Sequence, residues 1–296
     1  MHKIIPCLWF DDQAEEAANF YVSVFGDGKV GKITPYIVDT PSNKKIGSVM
    51  MAEFEIFGQN FTALNGGPIF KFNPSISFHV KCGSREEVDG IWDKLIDGGQ
   101  ILMPLDTYPF SERYGWLQDK YGLSWQIIFA AGKHKQRLTP VLMFTGDVCG
   151  KAQEAIGHYM SVFEKGKVGT TMLYGKGEDP DREGTLKYGG FELFGQEFGA
   201  MDSAHEHKFK FNEAISFMVS CKDQEELDKY WDKLSAVPES EQCGWLKDKY
   251  GVSWQIVPVQ LEKLMSDPQK GKAVMEALLN MKKLVVADLE NALKSK

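Results

Sequence analysis

GWLQDKYGLSWQII at 115–128 returns as GWLKDKYGVSWQIV at 244–257. A repeat this specific decides the fold, because a duplicated sequence specifies a duplicated structural unit. Working outward, FNPSISFHV (72–80) returns as FNEAISFMV (211–219), FGQNF (57–61) as FGQEF (194–198), and NFYVSVF (19–25) as GHYMSVF (157–163). The first copy carries about ten extra residues near 98–111, GGQILMPLDTYPF, whose Gly and Pro read as a long loop able to form a lid. A copy of roughly 130 residues is too long for a solenoid repeat and is a domain. The expected division is 1–130, 136–258 and a tail at 259–296, with each copy an eight-stranded unit.

The chain has 296 residues, 43% hydrophobic and 25% charged, the balance of a globular protein. Its net charge of −7 argues against nucleic acid or an anionic membrane as partner, since both need clustered Lys and Arg. No run approaches the ~18 apolar residues of a membrane span, and MHKIIPCLWFDD lacks a signal peptide's pattern. Five cysteines without CxxC spacing fit reduced thiols rather than a disulfide framework or zinc site. A cytoplasmic protein is expected.

Periodicity places helices over 13–25, with Ala14, Ala17, Ala18, Tyr21 and Val24 on one face, and after Ser84, where Ser84 and Glu87 form a capping box. Val88, Ile91, Trp92 and Leu95 give that helix its stripe; Asp223, Glu226, Leu227, Tyr230, Trp231 and Leu234 repeat the pattern. Each copy thus reads as two β-α-β-β-β modules, an α+β class. In ISFHV, Ile76, Phe78 and Val80 share one strand face and Ser75, Ser77 and His79 the other. In the second copy Ile215, Phe217 and Val219 oppose Ala214, Ser216 and Met218. The aliphatic face needs helices over it; the small or polar face suits a curved sheet around a cavity.

These motifs, with IIPCLWFDDQAEEAANFYVSVF and LNGGPIFKFNPSISFHV, resemble the vicinal oxygen chelate superfamily, the glyoxalase and bleomycin-resistance fold. The likeness is to its PhnB-like branch, which carries the 3-demethylubiquinone methyltransferase-like domain name. The resemblance implies paired modules closing around clefts, four modules in all. It also implies metal ligands on first and last strands, and those positions fall on Ser75 and Ala214, and on Gln126 and Gln255. Serine, glutamine and alanine bring too little basicity and no charge, so no cofactor and no divalent metal centre are expected.

The inward faces nominate Trp9, Ser75, Ser77, His79 and Gln126 for a first cleft, and Met143, Ser216, Met218 and Gln255 for a second. Trp116 and Trp245 sit beside loops entering the last strands, and Asn65 and Asp202 follow the FGQ strands, where Asn65 reads more readily as turn support. No catalytic residue is assigned. GDGKVGK (26–32) fails the P-loop spacing, and no GxGxxG opens a helix, so a conventional nucleotide or adenosylmethionine site is unsupported. Three functions compete: a metal-independent small-molecule binder, an enzyme using Gln126, His79, Glu53 or Asp202, and a structural protein. The tail reads as helices starting at Ser266-Asp267-Pro268, with Val274, Ala277, Leu278, Met281 and Leu284 in a stripe that continues through Val285, Leu289 and Leu293. They pack on their own domain or on a second subunit of a homodimer.

Overall fold

The computed structural model describes residues 2–39, 44–164, 166–265 and 270–294. The first copy contains β1 (Ile4–Phe10), α1 (Ala14–Phe25), β2 (Gly28–Pro35), β3 (Val49–Ile56) and β4 (Gln59–Asn65), then β5 (Ile76–Cys82), α2 (Arg85–Ile96), β6 (Gln100–Tyr108), β7 (Ser111–Gln118) and β8 (Ser124–Phe129). The second contains β9 (Leu138–Phe144), α3 (Ala152–Phe163), β10 (Lys167–Leu173), β11 (Leu186–Leu193) and β12 (Gln196–Asp202), then β13 (Ile215–Cys221), α4 (Gln224–Leu234), β14 (Trp245–Lys247) and β15 (Ser253–Pro258). The tail forms α5 (Leu261–Met265), α6 (Gly271–Leu279) and α7 (Val286–Ala292).

The strands make two sheets, and each draws on both copies. The first runs β14-β15-β13-β1-β4-β3-β2 and the second β10-β11-β12-β9-β5-β8-β7-β6. Antiparallel pairing of β1 with β13, Ile5 opposite Met218 and Cys7 opposite Ser216, joins the copies in the first sheet. Pairing of β9 with β5, His79 opposite Thr139 and Ser77 opposite Val141, does so in the second. The expectation that one copy encloses its own cleft is therefore corrected: each module completes its sheet with a module of the other copy.

The cores nevertheless lie within copies. Tyr21, Phe25, Phe54, Phe61, Phe78 and Trp125 form a continuous aromatic chain in the first. Tyr159, Phe163, Phe191, Phe198, Phe217 and Trp254 repeat it in the second. Here the helix-covered faces of the two sheets meet, and the expected helical stripes are buried. The repeated DKYG turn locks this layer. Asp119, almost fully buried, accepts from Tyr21 Oη (2.9 Å), Trp125 Nε1 (2.8 Å), and the Tyr121 and Leu123 amides. Asp248 does the same with Tyr159, Trp254, Tyr250 and Val252. Local caps start the helices: Ser84 accepts from the Glu87 amide and Asp223 from the Glu226 amide.

Two further expectations change. The extra residues at 98–111 are not a lid loop; they form β6, hairpinned to β7 at the edge of the second sheet. Pro104 sits among its register shifts, and an edge strand tolerates a missing donor there. The second copy has no counterpart strand among the described residues, so its count falls to seven. The tail takes that place: Cys243 and Gly244 amides donate to the Met281 and Lys282 carbonyls, both at 2.8 Å.

The same tail reaches the opposite edge of the first sheet. It leaves β15 where the Val259 amide donates to Cys221 O, pairs Glu262 with Lys32 of β2 at 2.8 Å, and backs Gly271 onto Ile37. Glu262 also lies near Glu53 of β3, while Lys283 pairs with Asp228 of α4 at 2.9 Å. Leu264, Val274, Leu278, Leu284 and Leu289 are buried within the chain, as packing on its own domain requires. The expected helix start at Ser266-Asp267-Pro268 lies outside the described residues. Among those described, no helix is long and apolar enough to cross a membrane.

Candidate functional site

Strand alternation turns one side chain in two away from the helices, so each sheet has a concave floor. The first floor carries Ile5, Cys7 and Trp9 of β1, Ser216 and Met218 of β13, Gln255 of β15 and Trp245 of β14, in mutual register. The second carries Thr139, Val141 and Met143 of β9, Ser77 and His79 of β5, Gln126 of β8 and Trp116 of β7, with Ser75 just before β5. The sequence grouping of Trp9 with His79 and of Met143 with Met218 is thus corrected. The two residues change places because β1 pairs with β13 rather than with β5.

The first floor is mostly apolar. Trp9 donates to Gly67 O at 2.7 Å and stands edge-on to Trp245 and Phe70. This leaves no room above Gly66, where a Cβ would come within 2.2 Å of the Trp9 ring. Gln255 donates to Ser216 Oγ at 2.9 Å, and burial pushes the Cys7 thiol up to about 11, which keeps it un-ionised and a poor nucleophile. Ser253 keeps an unpartnered hydroxyl. Glu53, on the same side, has its carboxyl raised first by burial and then by Glu262.

The second floor is polar. Gln126 donates to Ser77 Oγ and accepts from Tyr114 Oη, both at 2.8 Å, while Trp116 donates to Ser124 Oγ at 2.8 Å. Beside this satisfied network, both ring nitrogens of His79 and Oγ1 of Thr139 are shielded from solvent and have no hydrogen-bond partner. Burial, and secondarily Lys81, lowers the His79 pKa to about 4, so the ring is neutral at pH 7. Tyr188 stands edge-on to His79, its ring centroid 6.4 Å away, and lies across Gly199. Lys81 pairs with Glu197 at 2.8 Å at the end of this floor.

Asn65 and Asp202 are corrected as ligand candidates, because they face the helices. Asn65 Oδ1 accepts from the Ala14 amide at 2.8 Å, and Asp202 accepts from the Gly150, Ala152 and Leu186 amides. They fix where α1 and α3 begin. Sequence reading did not single out Tyr114 or Tyr188. Alternation in SERYGWLQ puts Tyr114 on the Trp116 face, a usable signal; Tyr188 meets His79 only through pairing between copies.

Paired modules, helices on convex faces and concave floors define a protein of the glyoxalase and bleomycin-resistance fold. The chain belongs to the family described as 3-demethylubiquinone-9 3-methyltransferase, whose profile matches residues 2–128 and 136–257. Among solved structures it is similar to a putative 3-demethylubiquinone-9 3-methyltransferase, PhnB protein, from Bacillus cereus. That match has 43% identity and a TM-score of 0.41, and covers 44% of this chain and 100% of that one. It is also similar to a single-residue mutant of glyoxalase I from Zea mays, at 14% identity and a TM-score of 0.51, covering 84% of this chain and 89% of that one. No curated protein matches.

Proposed function

We propose that the protein binds a small molecule in the cleft of the second sheet, without the metal centre usual to the superfamily. The observation that carries the reading is the unpartnered His79–Thr139 pair on that floor. A buried polar group left unpaired costs about 1–3 kcal/mol, so such a pair is expected where a ligand completes it. Pseudosymmetry supports this. The positions matching His79 and Thr139 in the first sheet are Met218 and Ile5, which also face each other. The unpartnered donor and acceptor pair of the second floor is thus replaced by two apolar side chains on the first.

The donor set argues against a transition metal. At the superfamily's ligand positions stand Ser75 and Gln126, and the Gln126 carbonyl is engaged by Tyr114. Among the described residues no cluster of three His, Cys, Asp or Glu side chains could hold an ion.

The test is elemental analysis of the purified chain, with a ligand-observed NMR screen of small aromatic fragments before and after dialysis against EDTA. The expected result is substoichiometric metal and fragment binding that EDTA leaves unchanged. About one metal per chain, or binding abolished by EDTA and restored by zinc, would contradict the reading.

A further inference from the structure

The second floor also specifies what chemistry its ligand brings. Register places His79 of β5 directly opposite Thr139 of β9, so their side chains rise together, about 5 Å apart at Cβ. A neutral imidazole offers one donor and one acceptor, and a threonine hydroxyl offers both. None of these is used within the protein. The charged or titratable groups toward the pair include Lys81 on β5, Glu197 on β12, Tyr188 on β11 and Tyr114 on β7, with Glu192 beside Glu197 paired to Lys135 at 2.7 Å. Lys81 and Glu197 neutralise each other at 2.8 Å, and Tyr114 donates to Gln126. A charged ligand set on this floor would lose its hydration and find no free counter-charge, a cost that a neutral one avoids.

The approach is shaped as well. Tyr188 stands edge-on to His79, and its ring rests over Gly199, where an added Cβ would come 3.2 Å from the ring and 3.0 Å from Val141. Val141, Met143 and Trp116 supply flat or adaptable apolar walls beside the pair.

Resting on the binding reading above, we propose that His79 and Thr139 recognise an uncharged planar ligand presenting a hydrogen-bond donor and an acceptor side by side, of the carboxamide or lactam class. The ligand enters beneath the Tyr188 ring, which turns aside. His79 takes one hydrogen bond and Thr139 the other, and the ring of the ligand lies against Trp116 and Val141.

Three near-isosteric probes separate charge from shape: benzamide, benzoate and benzamidine, titrated at pH 7.5 into the full chain by ligand-observed NMR. Benzamide is expected to bind at least tenfold more tightly than either ion. His79→Met and Thr139→Ile install the residues that occupy the matching positions of the first sheet, so the register already accommodates them. Each is expected to weaken benzamide about tenfold, the equivalent of one lost hydrogen bond at 1.4 kcal/mol. Equal or tighter binding of benzoate or benzamidine would overturn the ligand class, as would benzamide binding indifferent to both substitutions. If none of the three probes binds while other fragments in the screen do, the ligand class fails and the binding cleft stands. If no fragment binds at all, the reading beneath it fails too.

Discussion

Asp119→Ala lowers stability by about 3–5 kcal/mol, read as the shift of the urea midpoint at pH 7. Four donors converge on this carboxylate: a tyrosine hydroxyl, an indole N–H and two backbone amides. Alanine leaves them buried and unpaired, and it opens the joint between α1 of one module and β8 of the next. Asp248→Ala has the same effect in the second copy, because its four partners are the repeated residues. A loss under about 1 kcal/mol in both variants would show that the repeated turn is not what ties modules together.

The second large effect concerns the tail. Cys7 lies on the first floor, whereas Cys82 and Cys221 face the helices, and all three thiols are buried and raised to about 11, 12 and 12 by burial. Iodoacetamide is expected to modify half-buried Cys149 and Cys243 first. Cys7 follows as the tail lifts from the first cleft, and Cys82 and Cys221 react only on global unfolding. Val274→Asp puts a charge at a fully buried position of α6. It should accelerate Cys7 modification at least tenfold while leaving Cys82 and Cys221 protected. Cys7 reacting in step with Cys82 and Cys221, in the variant as in the parent, would mean that the tail does not gate that cleft.

The repeat and its strand alternation made much of the architecture legible. Ser84, Glu87 and the Val88-Ile91-Trp92-Leu95 stripe are local signals, and they behave locally. The face that His79, Ser77 and Gln126 share was likewise readable from period-two alternation. What stayed hidden is which module each one joins. Trp9 and Met143 occupy matching positions in strands of the same pattern, IIPCLWF and LTPVLMF, and local alternation does not say whether β1 pairs with β13 or with β5. The choice depends on the whole sheet. Residues 98–111 misled for a related reason: Gly and Pro mark loops, yet an edge strand with register shifts accepts Pro104. Asn65 and Asp202 were drawn to the cleft by their polarity, when the unpaired amides at the starts of α1 and α3 claim them.

The most direct test of binding on the second floor uses the methionine methyls. Met143 and Met201 lie on the second floor, Met51 and Met218 on the first. With 13C-methyl methionine, a mixture of benzamide, 2-pyridone and indole is titrated into the full chain. The account predicts shifts at Met143 and Met201 that His79→Met diminishes, with Met51 and Met218 unmoved. Shifts confined to Met51 and Met218 would place the ligand on the first floor and contradict that reading.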